Sequence, residues 1–119
     1  MKPKVLVSRA IPEAGIALLK KKCQVEVSKK NRVLAKKELI AKVKGKDALL
    51  CLLTDKIDDA VLKTKNLKIV ANYAVGFDNI DIKAATKRKI PITNTPGVLT
   101  DAVADHACTL LLSAGRRIA

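Results

Sequence analysis

The stretch LKIVANYAVGFDNIDIKAATKRKIPIT, residues 67–93, reads as a strand, a turn, a helix and a second strand. The apolar run 67–71 is typical of a buried strand, and 80–89 has helical spacing with aspartate in its first turn and cations in its last. A second apolar run, 90–93, follows directly. Strands joined through a helix pair in parallel, because the connection has to cross over the sheet. The stretch therefore predicts a parallel sheet with helices packed against it.

The same alternation extends over the preceding residues. Short runs rich in Val, Leu and Ile predict further strands at 5–7, 25–27 and 48–53. Helical patterns lie between these strands, at 13–22, 38–45 and 57–65. Pro12 suits the start of the first helix and Gly45 the end of the second. The units fit a flavodoxin-like α/β domain over residues 1–99, with an open parallel sheet and helices on both faces.

The final segment, 100–119, has a different pattern. Thr100 or Asp101 can cap a helix there. Apolar residues occupy most of the circumference of this helix: Ala102, Val103, Ala104, Ala107, Leu110, Leu111, Leu112, Ala114 and Ile118. Such a helix is normally buried on several sides, so we expect a partner to cover it. It reaches Ala119 without a glycine or polar cap, which predicts a helix interrupted before its natural end.

Composition limits the class of protein. Of the 119 residues, 49% are hydrophobic and 29% are charged, the balance of a soluble globular protein. Neither a membrane-spanning run nor a signal peptide is present, which predicts a cytoplasmic protein without membrane contact. Cys23, Cys51 and Cys108 lie far apart in apolar surroundings, so we expect buried, unpaired cysteines. With only one histidine as well, no metal site is predicted.

The formal net charge of +13 is the unusual feature of the composition. Neutralisation of phosphates by lysine would explain it through nucleic-acid binding. The lysines, however, are spread along every segment of the sequence, and Tyr73 and Phe77 are too few to form a base-stacking platform. We therefore expect a solvated, lysine-rich surface and no nucleic-acid partner.

Ligands of open parallel sheets bind at the loops that follow the carboxyl ends of the strands. The most informative of these loops is NYAVGFDNID, residues 72–81. Gly76 permits close approach to the backbone, and the peptide N–H groups of Val75 and Gly76 can hold a carboxylate. On the residues alone, a plain tight turn is the commoner explanation for such a glycine.

Other candidates are weaker. The glycines at 15, 45, 76, 97 and 115 fit neither GxGxxG nor GxxxxGK[ST], so no nucleotide-binding loop is predicted. Asp55 follows a strand as a receiver-domain phosphoacceptor does, but the first strand ends in Ser8-Arg9 without the acidic pair that a Mg²⁺ site needs. His106 has no companion nucleophile, and a structural histidine is the simpler interpretation.

Three segments resemble a known family: KPKVLVSRAIPEAGIALL at the start, the turn LLTDKID, and LKIVANYAVGFDNIDIKAATKRKIPITNTPGVLTDAVADHACTLLLSAGRR. They are similar to the N-terminal part of D-isomer-specific 2-hydroxyacid dehydrogenases, and within that family to the archaeal-type glyoxylate (hydroxypyruvate) reductases. The resemblance covers nearly the whole chain.

This resemblance implies the substrate domain of an oxidoreductase that reduces small 2-oxo acids to D-2-hydroxy acids with NAD(H) or NADP(H). It implies that Val75 and Gly76 grip the substrate carboxylate and that Leu53 lines the pocket. The helix at 100–119 would cross to a Rossmann domain, absent here. Val103 stands where close relatives often have a threonine near the cofactor.

The family's glycine-rich loop and its catalytic arginine, acid and histidine all correspond to sequence beyond Ala119, and His106 is not that histidine. We therefore assign no catalytic residue, and we expect the chain alone to bind no cofactor and to be inactive. The missing domain would be continuous sequence or a second chain. The alternative is a truncated binding or assembly module that dimerises or docks on a partner through residues 102–118.

Overall fold

A computed structural model describes residues 1–118. Five strands alternate with five helices along the chain. The strands are β1 (Lys4–Val7), β2 (Gln24–Val27), β3 (Ala48–Leu52), β4 (Ile69–Tyr73) and β5 (Ile92–Thr93). The helices are α1 (Glu13–Lys22), α2 (Lys36–Val43), α3 (Asp59–Leu62), α4 (Ile82–Lys87) and α5 (Thr100–Arg116). All pairings are parallel in the order β2-β1-β3-β4-β5, which confirms the flavodoxin-like class.

The main core lies between the sheet and helices α2, α3 and α4. Leu6, Leu49 and Val70 are neighbours in register and point to this face because side chains alternate along a strand. All three are fully buried or nearly so, in one cluster with Leu39, Val61 and Ala85 of the three helices.

The opposite face of the sheet is only partly covered. Val5 and Val7 point to it, and both are buried, as is Ile16 of α1. Toward the other edge, Leu50 and Leu52 are half-buried and the Tyr73 side chain is 50% exposed. Within residues 1–118, α1 alone packs closely on this face, so the two faces are covered to very different extents.

Several predicted boundaries change for local reasons. The predicted helix 57–65 is reduced to the four residues of α3, because the Asp58 carboxylate caps it by accepting from Ala60 and Val61 N–H and the chain reaches a left-handed Asn66 soon afterwards. Asp81 was expected in the first turn of α4 but is its N-cap, accepting from Ala84 N–H. Strand β5 is shorter than predicted and has only two residues.

Helix α5 differs from its prediction at both ends. Leu99, not Thr100 or Asp101, is the N-cap residue, and no side chain caps the helix. The helix ends at Arg116, where Arg117 adopts φ 52° and the N–H of Ile118 donates to Ser113 O at 3.1 Å. This is a Schellman-type termination, so the prediction of an interrupted helix was wrong for the described residues. Ala119 lies outside them.

The covering that we expected for α5 is not provided by the described chain. None of its 17 residues is buried, and Leu111 and Leu112 are 74% and 68% exposed. The helix therefore projects its apolar surface away from the sheet, and residues 1–118 measure 58 × 32 × 25 Å along their principal axes.

The prediction of three buried cysteines is right for one. All three are free, but Cys23 is only half-buried and Cys108 is exposed on α5. Burial, reinforced by the negative charge of Asp55, raises the pKa of the Cys51 thiol to about 12. No helix in residues 1–118 has the length and apolar character needed to cross a membrane.

Candidate functional site

The turn between β4 and α4 is held by its carbonyl groups. Asn72 Nδ2 donates to Gly76 O and Asn94 Nδ2 donates to Val75 O, each at 2.8 Å. The N–H of Thr95 donates to Ala74 O at 2.9 Å. Three successive carbonyls thus point into the protein and fix the path of the turn.

Asn72 belongs to a buried amide network that joins two loops. Its side chain is 3% exposed, and its Nδ2 also donates to Asn79 Oδ1 at 3.1 Å. Asn79 Nδ2 in turn donates to the carbonyls of Leu52 at 3.2 Å and Asp55 at 3.0 Å. The turn after β4 is therefore locked against the turn after β3.

Sequence reasoning assigned no role to Asn72 or Asn79. The available signal was an asparagine at the end of an otherwise apolar strand, since a buried amide there requires partners. The sequence could not show that those partners would be carbonyls of both adjacent loops.

Asp55 has a structural role. It is 3% exposed, and its Oδ2 accepts from Ser8 Oγ at 2.5 Å and from Leu52 N–H at 2.9 Å. These bonds tie the end of β1 to the turn after β3 and occupy the carboxylate. Residues 1–118 contain no group of acidic, histidine or cysteine side chains that could hold a metal ion.

The N–H groups of the β4–α4 turn face the other way from its carbonyls. Neither Val75 N–H nor Gly76 N–H donates to an acceptor in the described chain. Val75 is 39% exposed and Gly76 half-buried, so an incoming ligand can reach these donors. Two adjacent free N–H groups form a site suited to one carboxylate.

Gly76 is not required by the geometry of the turn. Its φ lies outside the left-handed region, in which the only glycines of residues 1–118 are Gly45 and Gly97. A Cβ atom at position 76 would lie 3.7 Å from Asp78 Oδ2 and 3.9 Å from Leu53 Cδ1, ordinary contact distances. Neither a left-handed backbone nor a lack of space therefore explains the glycine, because alanine would fit the folded chain.

The structure brings together the three predicted substrate residues. The Leu53 side chain, 53% exposed, reaches to within ordinary contact distance of the Gly76 position and forms an apolar wall beside the N–H pair. A cavity of about 390 Å³ opens next to it and is lined by Leu53, Lys56, Asp58, Asp78, Asn79 and Asp81 among others. Its aspartates disfavour an anion, so the N–H pair is the better position for a carboxylate.

Val103 and His106 both lie on α5 and are exposed. A dinucleotide site needs a glycine-rich turn that leads from a strand into a helix. Between β5 and α5 the only glycine is Gly97, so this segment supplies no glycine-rich turn for the phosphates of a dinucleotide. A cofactor contact by Val103 remains an untested prediction.

Comparison with known proteins shows which family this chain is similar to. The profile described as D-isomer specific 2-hydroxyacid dehydrogenase, catalytic domain, matches residues 5–114. The glyoxylate reductase of Pyrococcus furiosus is 51% identical over 119 residues, which cover 99% of this chain and 35% of that protein. The chain thus spans about a third of the length of the curated relatives it matches.

Solved structures agree. The TT0316 protein of Thermus thermophilus superposes with a TM-score of 0.86 at 39% identity, over 97% of this chain and 37% of that one. The NADPH-dependent glyoxylate/hydroxypyruvate reductase of Sinorhizobium meliloti, in complex with NADP and malonate, has a TM-score of 0.73 at 28% identity, over 95% of this chain and 34% of that one.

Proposed function

The chain belongs to the D-isomer-specific 2-hydroxyacid dehydrogenase family, and from this premise we propose that it is the substrate-binding part of an NAD(P)-dependent reductase. The substrates would be small 2-oxo acids such as glyoxylate or hydroxypyruvate, reduced to D-2-hydroxy acids. The names of the relatives, glyoxylate reductase and glyoxylate/hydroxypyruvate reductase, support this substrate class.

The observation that carries the proposal is the pair of free N–H groups at Val75 and Gly76. A carboxylate that accepts from both lies directly against the backbone, and only glycine leaves that approach open. Leu53 excludes water from one side of the bound acid, which strengthens the hydrogen bonds. The malonate complex of the Sinorhizobium relative supports a carboxylate as the ligand, since malonate is a dicarboxylate.

The division of labour follows from the length of the match. We assign residues 1–99 to the substrate domain and the helical segment 100–119 to the connection with a cofactor domain. NAD or NADP would bind in the two thirds of the relatives that this chain does not span, and hydride would pass from the nicotinamide to the carbonyl carbon. The role of residues 53, 75 and 76 is then to hold and orient the acid, and the chain alone is expected to be inactive.

The competing proposal is a stand-alone module that assembles through residues 102–118. The exposed apolar side chains of α5 favour it. The comparisons give it no support, because the relatives are named as enzymes and the match extends through most of α5. We therefore prefer the substrate-binding proposal.

The test is a titration of the ¹⁵N-labelled chain with glycolate, the smallest 2-hydroxy acid, followed by NMR. Glycolate should shift the amide signals of Val75 and Gly76, whereas ethylene glycol, which lacks the carboxylate, should not. Gly76→Ala should weaken the response at least about fivefold while it changes the free energy of unfolding by less than about 1 kcal/mol. Gly115→Ala is the matched control, since a Cβ there meets nothing within 4 Å.

Equal shifts with ethylene glycol, or an unchanged response in Gly76→Ala, would overturn the carboxylate site. A large loss of stability in Gly76→Ala would instead return the glycine to a purely structural role.

A further inference from the structure

Many of the lysines that are far apart in the sequence lie near one another in the fold. In a parallel sheet with crossover helices, each helix runs antiparallel to the strands and ends beside the amino end of the next strand. Helices α1, α2 and α4 have lysines in their last turns, and further lysines follow α2, α3 and α4 before the next strand. The topology therefore places these cations together along the end of the sheet that is formed by the amino ends of the strands.

Backbone hydrogen bonds trace this edge directly. Gln24 N–H donates to Pro3 O, Asp47 N–H to Lys4 O and Lys68 N–H to Asp47 O, each at 2.8 Å. Lys2, Lys4, Asp47 and Lys68 line one depression together, and Lys44 and Lys65 line another. Segments that are far apart in sequence thus meet at the same end of the sheet.

Most of the charge on this surface is uncompensated. The acidic residues that pair with its cations are Glu26, Asp47 and Asp59: Glu26 with Lys42 and Lys46, Asp47 with Lys68, and Asp59 with Lys63 and Arg88. We call the remaining exposed lysines, which form no ion pair within residues 1–118, the lysine edge: Lys2, Lys4, Lys21, Lys22, Lys44, Lys65, Lys87 and Lys89. The lysines are solvent-exposed, and the structure adds that many of them lie near one another at this end of the sheet.

Helix stabilisation explains only part of the lysine edge. A lysine in the last turn of a helix interacts favourably with the helix dipole. Lys2 and Lys4 belong to no helix, however, and Lys44, Lys65 and Lys89 lie beyond the ends of theirs. Like charges at one end of the sheet repel one another, and an anionic partner would relieve that repulsion.

We propose that the lysine edge is a docking surface for the phosphate backbone of a nucleic-acid duplex, bound without regard to sequence. Five strands ~4.8 Å apart give an edge of roughly 19 Å, and a duplex presents one charge per ~1.7 Å of its axis. The only aromatic side chains, Tyr73 and Phe77, lie at the opposite edge of the sheet, so bases are not stacked or read.

A membrane surface fits the lysine edge less well. Stable membrane binding combines a basic patch with an inserted apolar group or a lipid anchor. Among the large exposed hydrophobic side chains, Leu53, Tyr73, Val75 and Phe77 lie at the carboxyl ends of the strands and a second group lies on α5, whereas Met1 lies beside Lys2. A single methionine gives the lysine edge little apolar surface to insert into a bilayer, so the surface offers mainly charge, which suits phosphate contacts.

The experiment measures binding of the full chain to a labelled DNA duplex of about 20 base pairs by fluorescence anisotropy, between about 50 and 200 mM salt. The edge variant replaces Lys22, Lys44 and Lys89 by Gln. The control variant replaces Lys29, Lys37 and Lys83 by Gln. These lysines are also exposed and form no ion pair within residues 1–118, but they lie away from this edge. Both variants lose the same formal charge, and circular dichroism checks their folding.

We expect the edge variant to bind about tenfold more weakly at low salt, with a salt slope lower by about 2 to 3. The control should bind almost as the wild type does. Equal losses in both variants would show that net charge, not the edge, determines binding, and absence of binding at low salt would refute the surface altogether. Binding to phosphatidylserine vesicles but not to the duplex would also overturn the proposal.

Discussion

At the scale of single residues, Asn72 has the central structural role in the candidate site. It is buried at the end of β4 and bonds both the Gly76 carbonyl and Asn79, so it determines which way the β4–α4 turn presents its N–H groups. In Asn72→Ala, the Gly76 carbonyl and part of the Asn79 amide lose buried partners. We expect the free energy of unfolding, measured by urea denaturation, to fall by about 2–3 kcal/mol.

Asn94→Ala is the matched control for this prediction. It also removes one amide bond to the turn, to Val75 O, but Asn94 is only half-buried and water can replace it. Its loss should be below about 1 kcal/mol. Equal losses for the two variants would contradict the central role of Asn72.

Some residues of the candidate site were indicated by the sequence, and others were found only in the structure. Val75 and Gly76 were candidates from the sequence, because ligands of parallel folds bind in loops after strands, but their carboxylate role came from the family resemblance and stays a prediction. Leu53 came only from the family resemblance, and its closeness to Gly76 needed the structure. Asn72 and Asn79 could not be predicted, since their partners are backbone carbonyls of a loop distant in sequence.

At the scale of elements, helix α2 begins with a charged cluster around Glu38. The Glu38 carboxylate accepts from Ala35 N–H at 3.1 Å and pairs with Lys30 and Arg32. Ala35 offers no side-chain acceptor, so this is half of a capping box. The hydrogen bond from Lys30, then that from Ala35 N–H and the pairing with Arg32, lower the pKa of Glu38 from 4.5 to about 2.

The lowered pKa predicts a pH dependence of stability. Because Glu38 binds protons less readily in the folded chain, its contribution is complete above about pH 4.5 and is lost as the pH falls toward 2. Glu38→Gln should therefore show a flatter decline of the urea midpoint over that range than the wild type. Glu13→Gln is the control, since Glu13 is 77% exposed and pairs only with Lys20 at 3.4 Å. An unchanged slope in Glu38→Gln would refute the assignment.

The elements themselves were largely predictable, because strands and helices leave local patterns. All five strands occur where apolar runs predicted them. The errors fall where tertiary or capping interactions decide: α3 is cut to one turn by Asp58, and β5 is limited by Pro91, which has no N–H. Whether α5 is exposed depends on which other elements pack against it. The sequence pattern of α5 itself does not show that.

At the scale of the whole molecule, parallel topology separates two surfaces. The carboxyl ends of the strands carry the amide network and the candidate carboxylate site, and the amino ends carry the lysine edge. Both arrangements depend on the strand order and crossover direction; the predicted parallel sheet indicated the first through its loops, whereas the second needed the structure.

The direction of α5 determines the overall shape, and this gives the last prediction. The Cα radius of gyration is 17.1 Å, whereas a compact chain of this length would have about 13.5 Å. Small-angle X-ray scattering, extrapolated to zero concentration, should give a value near 17 Å because α5 projects from the sheet.

A variant with Leu111→Gln and Leu112→Gln distinguishes the possible causes of a radius of gyration that differs from about 17 Å. If α5 projects, the variant keeps the same radius at low concentration, since neither side chain is buried. The wild type should show the larger increase of radius with concentration, because its apolar helix surface is available for self-association. A wild-type radius near 14 Å that rises in the variant would mean that α5 folds back onto the partly covered sheet face, contrary to the structure.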